Sequence, residues 1–450
     1  MMPSSPELKA LHVPATYGEP PDGWTWSRLD DVSEGVFDCP HSTPKLTDAG
    51  LYVVRTQDII TGVFRADQAA HVSDETYAER IARVTPSRGD LLYSREGTYF
   101  GIAAEVPENT RVCLGQRMVL IRPKPEILDF SFLRYWLNSP IMAGHIHGYR
   151  DGSVAERLNL PTIRALPVLL PPLATQKSIA AVLGALDDKI ELNRRMNVTL
   201  EAMARALFQS WFVDFDPVRA KLDGRQSPNL DPATAALFPD SFQDSELGHI
   251  PKGWEVGSIL QQARLLSGGT PKTDVADYWN GDIPWASAKD VSQCGEAFLI
   301  ATERCITQRG LDKSATKMIP EFATVIVARG ATTGRLTMFG KTIAMNQTCY
   351  ALDTKVEAPF ALYCQARHFI ERMVLSAHGS VFDTITTRTF ETTSVLLPPP
   401  EVLRAFDRQA APIFQQIRAS LRQSHTLATL RDTLLPKLLS GEIAVRPVGP

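Results

Sequence analysis

The stretch GSVAERLNLPTIRALPVLLPP occupies residues 152–172, and GSVFDTITTRTFETTSVLLPP occupies residues 379–399. Displaced by 227 positions without a gap, nine of these 21 residues are identical: Gly152/Gly379, Ser153/Ser380, Val154/Val381, Thr162/Thr389 and the closing VLLPP. So long a period marks duplicated domains rather than a solenoid of short units. Upstream the match continues with changing gaps. PPDGW at 20–24 aligns with IPKGW at 250–254, and TPK at 43–45 with TPK at 270–272. LGQRMVLIRP at 114–123 aligns with MNQTCYALDT at 345–354, which sets Gln116 over Gln347. Landmarks that recur while the intervening stretches change length describe a shared scaffold with variable surface loops.

Downstream the displacement of 227 holds. It pairs Ile179/Phe406, Leu183/Ala410, Leu186/Ile413, Ile190/Ile417, Asn193/Ser420, Asn197/Ser424, Leu200/Leu427, Ala204/Arg431 and Leu207/Leu434. The spacing alternates four and three, which is the seam of a coiled coil, and each half carries a polar layer in mid-seam. A single amphipathic helix packed on its own domain would show the same seam. Two helices of matched length and matched polar layer are natural partners, so a paired coiled coil is expected. The first helix, from about Leu173 to Ser210, would be roughly 57 Å long at about 1.5 Å per residue.

LLPP at 169–172 and LLPPP at 396–400 each close an extended segment and open a helix, since proline is tolerated in a first turn. Pro217 in FVDFDPVRAK and Pro436 in LLPKLLSGEI are expected to end the regular helices. GDLLYSREGTYFGIAAEV (89–106) and FATVIVARGATTGRLTMF (322–339) read as strands joined by tight turns. The expected fold class is α+β. Its parts are an N-terminal arm (1–17), a mixed α/β domain (18–172), a central helix (173–216), a connection (217–250), a second mixed α/β domain (251–399) and a C-terminal helix (400–443).

A hydrophobic content of 44% and a charged content of 22% are ordinary for a soluble globular protein. The N-terminus lacks the basic start and apolar stretch of a secretory signal, and nowhere do 18 apolar residues run together. The six cysteines, at 39, 113, 294, 305, 349 and 364, contain no C-x-x-C, which argues against a disulfide framework or structural zinc and for a reducing cytoplasm. Of the 17 Lys and Arg in residues 1–172, 14 are arginine, a choice that suits phosphate and base-edge contacts. Surface arginine for solubility is the plainer reading.

No catalytic constellation emerges. RGATTGRLT (329–337) lacks the spacing and lysine of a phosphate loop, and with SREGTYFG (94–101) as its repeat partner it reads as strand–turn–strand. His145 and His147 in GHIHG have no nearby carboxylate or cysteine to complete a metal shell, so a surface loop is expected and no metal site. Neither G-x-S-x-G nor H-E-x-x-H occurs. The PP pairs lack the preceding Asp or Asn and the following aromatic that would hold a flipped base for methylation.

The chain resembles the DNA-specificity subunits of type I restriction–modification systems over nearly its whole length. The motifs that carry the resemblance are VLLPPLATQKSIAAVLGALDDKIELNRRM (168–196), ALFQSWFVDFDPVRAK (206–221), LGHIPKGWEV (247–256) and LLPKLLSGEI (434–443). The resemblance implies two target-recognition domains, each reading one half of a split double-stranded DNA site, held apart by helices that pair antiparallel. It also implies catalysis on separate chains. Two methylation subunits, and restriction/translocase subunits for cleavage, are the expected partners. S-adenosylmethionine and ATP with Mg would then reside on those partners, and this chain would need no cofactor. A recognition subunit of another restriction type, or an unrecognised hydrolase, stays open as an alternative.

DNA contacts should combine Lys and Arg on phosphates with Arg, Lys, Gln or Asn on base edges. The candidates on repeated frames are Lys45 and Lys272 in the TPK turns, Arg95 and Arg329 in the strand turns, and Gln116 and Gln347 ahead of alternating strands. For each, a solvated charge or a glutamine closing a turn is the competing reading.

Overall fold

A computed structural model of the chain describes residues 13–14, 17, 19–60, 62–97, 99–147, 157–227, 230–376 and 384–446. The two GSV frames that open the repeat, at 152–154 and 379–381, lie outside the described residues, as do residues 1–12 of the expected arm. The chain divides into two compact units, Met1–Lys189 with Leu427–Pro450, and Ile190–Thr426.

In the first unit an antiparallel sheet has the order Ser33–Asp38, Met118–Pro123, Leu91–Ser94, Ala103–Glu105. A second sheet has the order Leu46–Thr47, Ala70–Val72, Leu51–Val54, Val112–Leu114, its last pair parallel. The second unit repeats this frame. Ala263–Ser267, Cys349–Thr354, Thr324–Val327 and Leu336–Phe339 form the antiparallel sheet, and Phe298–Leu299 adds a fifth strand. Arg304–Ile306, Trp279–Ala286, Ile343–Met345 and Met318–Ile319 form the mixed one. The segments 89–106 and 322–339 suggest alternation from their sequence, but Leu91–Ser94 and Thr324–Val327 are buried along their whole length, as strands covered on both faces are. Each domain is closed by a two-stranded ribbon, Thr25–Arg28 against Pro167–Leu170 and Glu255–Ser258 against Ser394–Leu397. A leucine pair, one member buried and the other half-buried, thus ends directly at the prolines that open each long helix.

Both long helices span 40 residues, Leu173–Phe212 and Pro400–Leu439, and they run antiparallel. Their seam positions are buried or half-buried, while Val182, Leu192, Val198 and Met203 between them are exposed. In the second unit the amide Nδ2 of Asn193 donates to the Ser420 carbonyl (3.3 Å), Gln423 Oε1 (2.9 Å) and Ser424 Oγ (3.1 Å). The polar layer of one helix therefore meets its own repeat-equivalent on the other. In the first unit Asp187 accepts from Tyr135 (2.6 Å), Arg134 (3.2 Å) and Arg431 (2.7 Å). Burial alone would raise the Asp187 carboxyl, but the hydrogen bonds from Tyr135 and Arg431 prevail and hold it below the usual range. The equivalent position in the second unit is Phe414, which stacks on Phe360 with centroids 4.8 Å apart. The position that carries an ionic hub in the first unit is thus an aromatic stack in the second, where ion pairs such as Glu201 with Arg367 lie elsewhere along the helices.

Three local expectations need correction. The first helix ends at Phe212, and Pro217 instead sits in the first turn of a new helix, Asp216–Leu222, where its missing N–H costs nothing. Pro436 does not end the second helix, which runs on to Leu439. Leu435, Leu438 and Leu439 are buried in the core of the first unit, and that packing holds the turn despite the lost hydrogen bond. Pro412 lies inside the same helix on an exposed position. His145 lies on the helix Pro140–His147 rather than in a loop, the amide of Met142 being capped by Ser139 Oγ at 3.2 Å. The segment after the first helix also folds. It carries a short helix, Pro232–Ala236, and a hairpin, Phe242–Ser245 with Gly248–Pro251, and it buries Val218, Phe238 and Ile250.

Candidate nucleic-acid interface

The two TPK turns and the two repeated glutamines come together in each domain. Thr43 Oγ1 donates to Gln116 Oε1 at 2.6 Å, and Thr270 Oγ1 donates to Gln347 Oε1 at 2.5 Å. Gln116 stands in the turn between Val112–Leu114 and Met118–Pro123, and Gln347 in the turn between Ile343–Met345 and Cys349–Thr354. Lys45 and Lys272, two residues after these threonines, are exposed. Gln347 is exposed and Gln116 half-buried.

Different hardware holds the two TPK loops in place. In the first domain the buried Arg80 donates to the carbonyls of Leu114 (2.6 Å), Ser42 (3.1 Å) and Pro40 (3.1 Å), stapling the loop to a strand end. In the second, the Gly268–Gly269 pair lets the loop lie against Met345, since a Cβ on Gly268 would fall 2.2 Å from the Met345 carbonyl. Trp285 Nε1 then donates to the Gly269 carbonyl (3.1 Å) and Trp279 Nε1 to that of Lys272 (3.0 Å).

The two arginines do not stand at equivalent places. Arg95 is 6% exposed, and its guanidinium donates to Asp38 Oδ1 at 2.7 Å. It supports the loop from within and offers no free cation to a ligand. Its backbone carbonyl accepts from Leu158 (2.8 Å), while in the second domain the same bond runs from Ile385 to Ala328 (2.8 Å). Ala328 is thus the equivalent of Arg95, and Arg329 of Glu96, with Gly97 and Gly330 following at φ 95° and 97°. The turns align as SREGTYFG over VARGATTG, so the repeat partner of SREGTYFG starts at Val327 rather than within RGATTGRLT. Glu96 lies 3.6 Å from Arg117, whereas Arg329 is exposed, so the same turn carries an ion-paired glutamate in one domain and an exposed arginine in the other.

Asp38, Cys39 and His41 bring ligand-type atoms within 4.8 Å of one another, but Asp38 is already engaged by Arg95, and burial raises the Cys39 thiol. All six cysteines are free thiols. Among the described residues no helix is long and apolar enough to cross a membrane. The threonines of the TPK turns were passed over at the sequence level in favour of the lysines. The signal was present, since both TPK and the glutamine recur.

Two copies of one mixed domain, each carrying the same threonine–glutamine crown and a turn of different charge, define a two-headed recognition protein. The sequence profile of the type I restriction modification DNA specificity domain matches residues 21–202 and 251–430, so the chain belongs to that family. The HindI specificity subunit of Haemophilus influenzae is 24% identical over 471 residues, covering 93% of this chain and 99% of that one. The MjaIX specificity subunit of Methanocaldococcus jannaschii is 25% identical over 437 residues, covering 95% of each. The fold is similar to that of the crystal structure of a type I restriction–modification S subunit from M. genitalium, with a TM-score of 0.50 and 15% identity over 95% of this chain and 98% of that one.

Proposed function

We propose that this chain is the non-catalytic DNA-recognition subunit of a type I restriction–modification complex in which each domain reads one half of a bipartite, asymmetric site. The observation that carries this reading is the duplicated crown: Thr43 with Gln116, and Thr270 with Gln347, at matching turns of two domains of a DNA-specificity family. Lys45, Lys272 and Arg329 contact phosphates or bases there, and Gln116 and Gln347 face base edges. Arg95 acts beneath the surface. Loops of unequal length make the half-sites unequal. The duplicated helices offer one docking surface twice, which suits two methylation subunits. Restriction/translocase subunits join for cleavage. S-adenosylmethionine, ATP and Mg belong to the partners, and the complex works in the cytoplasm, where six free thiols stay reduced.

The test is to assay the purified chain, alone and with its methylation subunits, for DNA binding, methyl transfer and cleavage. Alone it should bind weakly and catalyse nothing, because the local positive charge is modest (17 Lys and Arg against 21 Asp and Glu in residues 1–172) and partners supply the chemistry. Methyl transfer by a preparation proven free of partners overturns the reading.

A further inference from the structure

We infer that Thr43 and Thr270 are specificity-positioning residues: each fixes the side-chain amide of its glutamine, Gln116 or Gln347, in one orientation and thereby decides which base edge that glutamine accepts. This rests on the reading that the two glutamines face DNA.

A glutamine amide carries an acceptor on one arm and donors on the other, and a half-turn about its last bond exchanges them. An unheld glutamine on an exposed turn offers both faces and discriminates poorly. In both domains the threonine hydroxyl donates and the carbonyl oxygen of the glutamine amide accepts. The Nε2 donors are thereby turned to the other side. One lone pair of Oε1 remains, so the amide keeps the donor–acceptor pair that matches N7 and N6 of an adenine.

The threonine is itself rigid. It is β-branched, so its first side-chain torsion is restricted, and it precedes a proline, Pro44 or Pro271, which holds its backbone extended. A Thr-Pro dipeptide is therefore a fixed hydroxyl on a fixed backbone. Maintenance of the bond is not a by-product of one loop structure. Arg80 staples the first loop, and a glycine pair with two tryptophans seats the second, yet both deliver the hydroxyl to the same oxygen. A contact kept across two unrelated supports, in domains whose neighbouring turns carry opposite charge, marks a shared task.

The experiment uses the full chain in its complex with the methylation subunits, reading methylation across a library of randomised sites. Thr270→Val keeps the shape and removes the donor. It should relax discrimination at one base pair of one half-site about tenfold, with the other half-site unchanged. Gln347→Ala should relax the same base pair at least as much, and Thr270→Ser should restore most of the discrimination. Thr43→Val and Gln116→Ala should act in the same way on the other half-site only. If Gln347→Ala relaxes a base pair that Thr270→Val leaves intact, positioning is overturned while the DNA reading stands. If neither glutamine variant alters any base pair, the glutamines do not read bases and both ideas fall. A uniform loss of methylation with a lowered unfolding temperature in Thr270→Val and Thr43→Val would assign the threonines a merely structural role and overturn the inference.

Discussion

Asp407, on the second long helix, points its carboxylate at the start of the helix Pro359–Ser376, where the amide of Ala361 donates to Oδ1 at 2.8 Å. A helix N-terminus favours negative charge, but only by up to about 1 kcal/mol at ordinary sites. Burial wins: Asp407 is 8% exposed, and desolvation pushes its carboxyl up to about 7, against the amide bonds from Ala361 and Phe360. A carboxyl raised on folding stabilises fully below its unfolded value near 3.8, and this contribution is lost as pH rises through about 7. Asp407→Asn keeps the acceptor and removes the titration. The variant should therefore gain on the parent protein as pH rises from 5 to 8, by on the order of 2–4 kcal/mol at pH 8. Denaturant midpoints measured at both pH values check this, and a difference that shrinks with pH would refute it. Single residues were the least legible level of the sequence. Arg95 and Arg329 look alike as letters in a turn. Whether an arginine is buried against Asp38 or left in solvent depends on strand register and on a residue 57 positions away.

The long helices were legible because heptad spacing is a local property of the α-helix, written wherever it is formed. Their equal length and their polar layer follow from the same pattern. Where the reading failed, tertiary packing overrode local preference, as at Pro436, or a fold of its own hid in a polar stretch, as in residues 216–250. The polar layer is also uneven. Asn193 is bonded through Nδ2 while its Oδ1 lacks a partner, and both amide atoms of Asn197 are buried without one. A buried, unmatched amide costs about 1–3 kcal/mol. Asn197→Leu should accordingly raise stability by about that amount. Asn193→Leu should gain far less, since it gives up three hydrogen bonds, including that to the half-buried Ser424. Urea denaturation of the two variants distinguishes the layers, and a destabilised Asn197→Leu would show that the amide is satisfied in solution.

At the scale of the molecule, duplication makes a sharp demand. If each domain reads its half-site independently, replacing residues 25–170 by a second copy of residues 255–397 should yield a chain that directs methylation to two copies of the second half-site. Sequencing of modified bases in the host reads this directly, and retention of the original asymmetric site would defeat the idea of independent heads. The exchange is feasible because of the ribbons that close each domain. Thr25 pairs with Leu170 and Glu255 with Leu397, so the chain leaves each domain beside the point where it arrived. A reading head is in this sense a cassette with one socket, and both sockets are flanked by the same letters, Gly-Trp before and VLLPP after. An exchange of residues between those two marks should therefore trade one head for another within the chain. The helices Leu173–Phe212 and Pro400–Leu439 lie outside the exchanged residues, so a head can be replaced whole rather than rebuilt one mutation at a time.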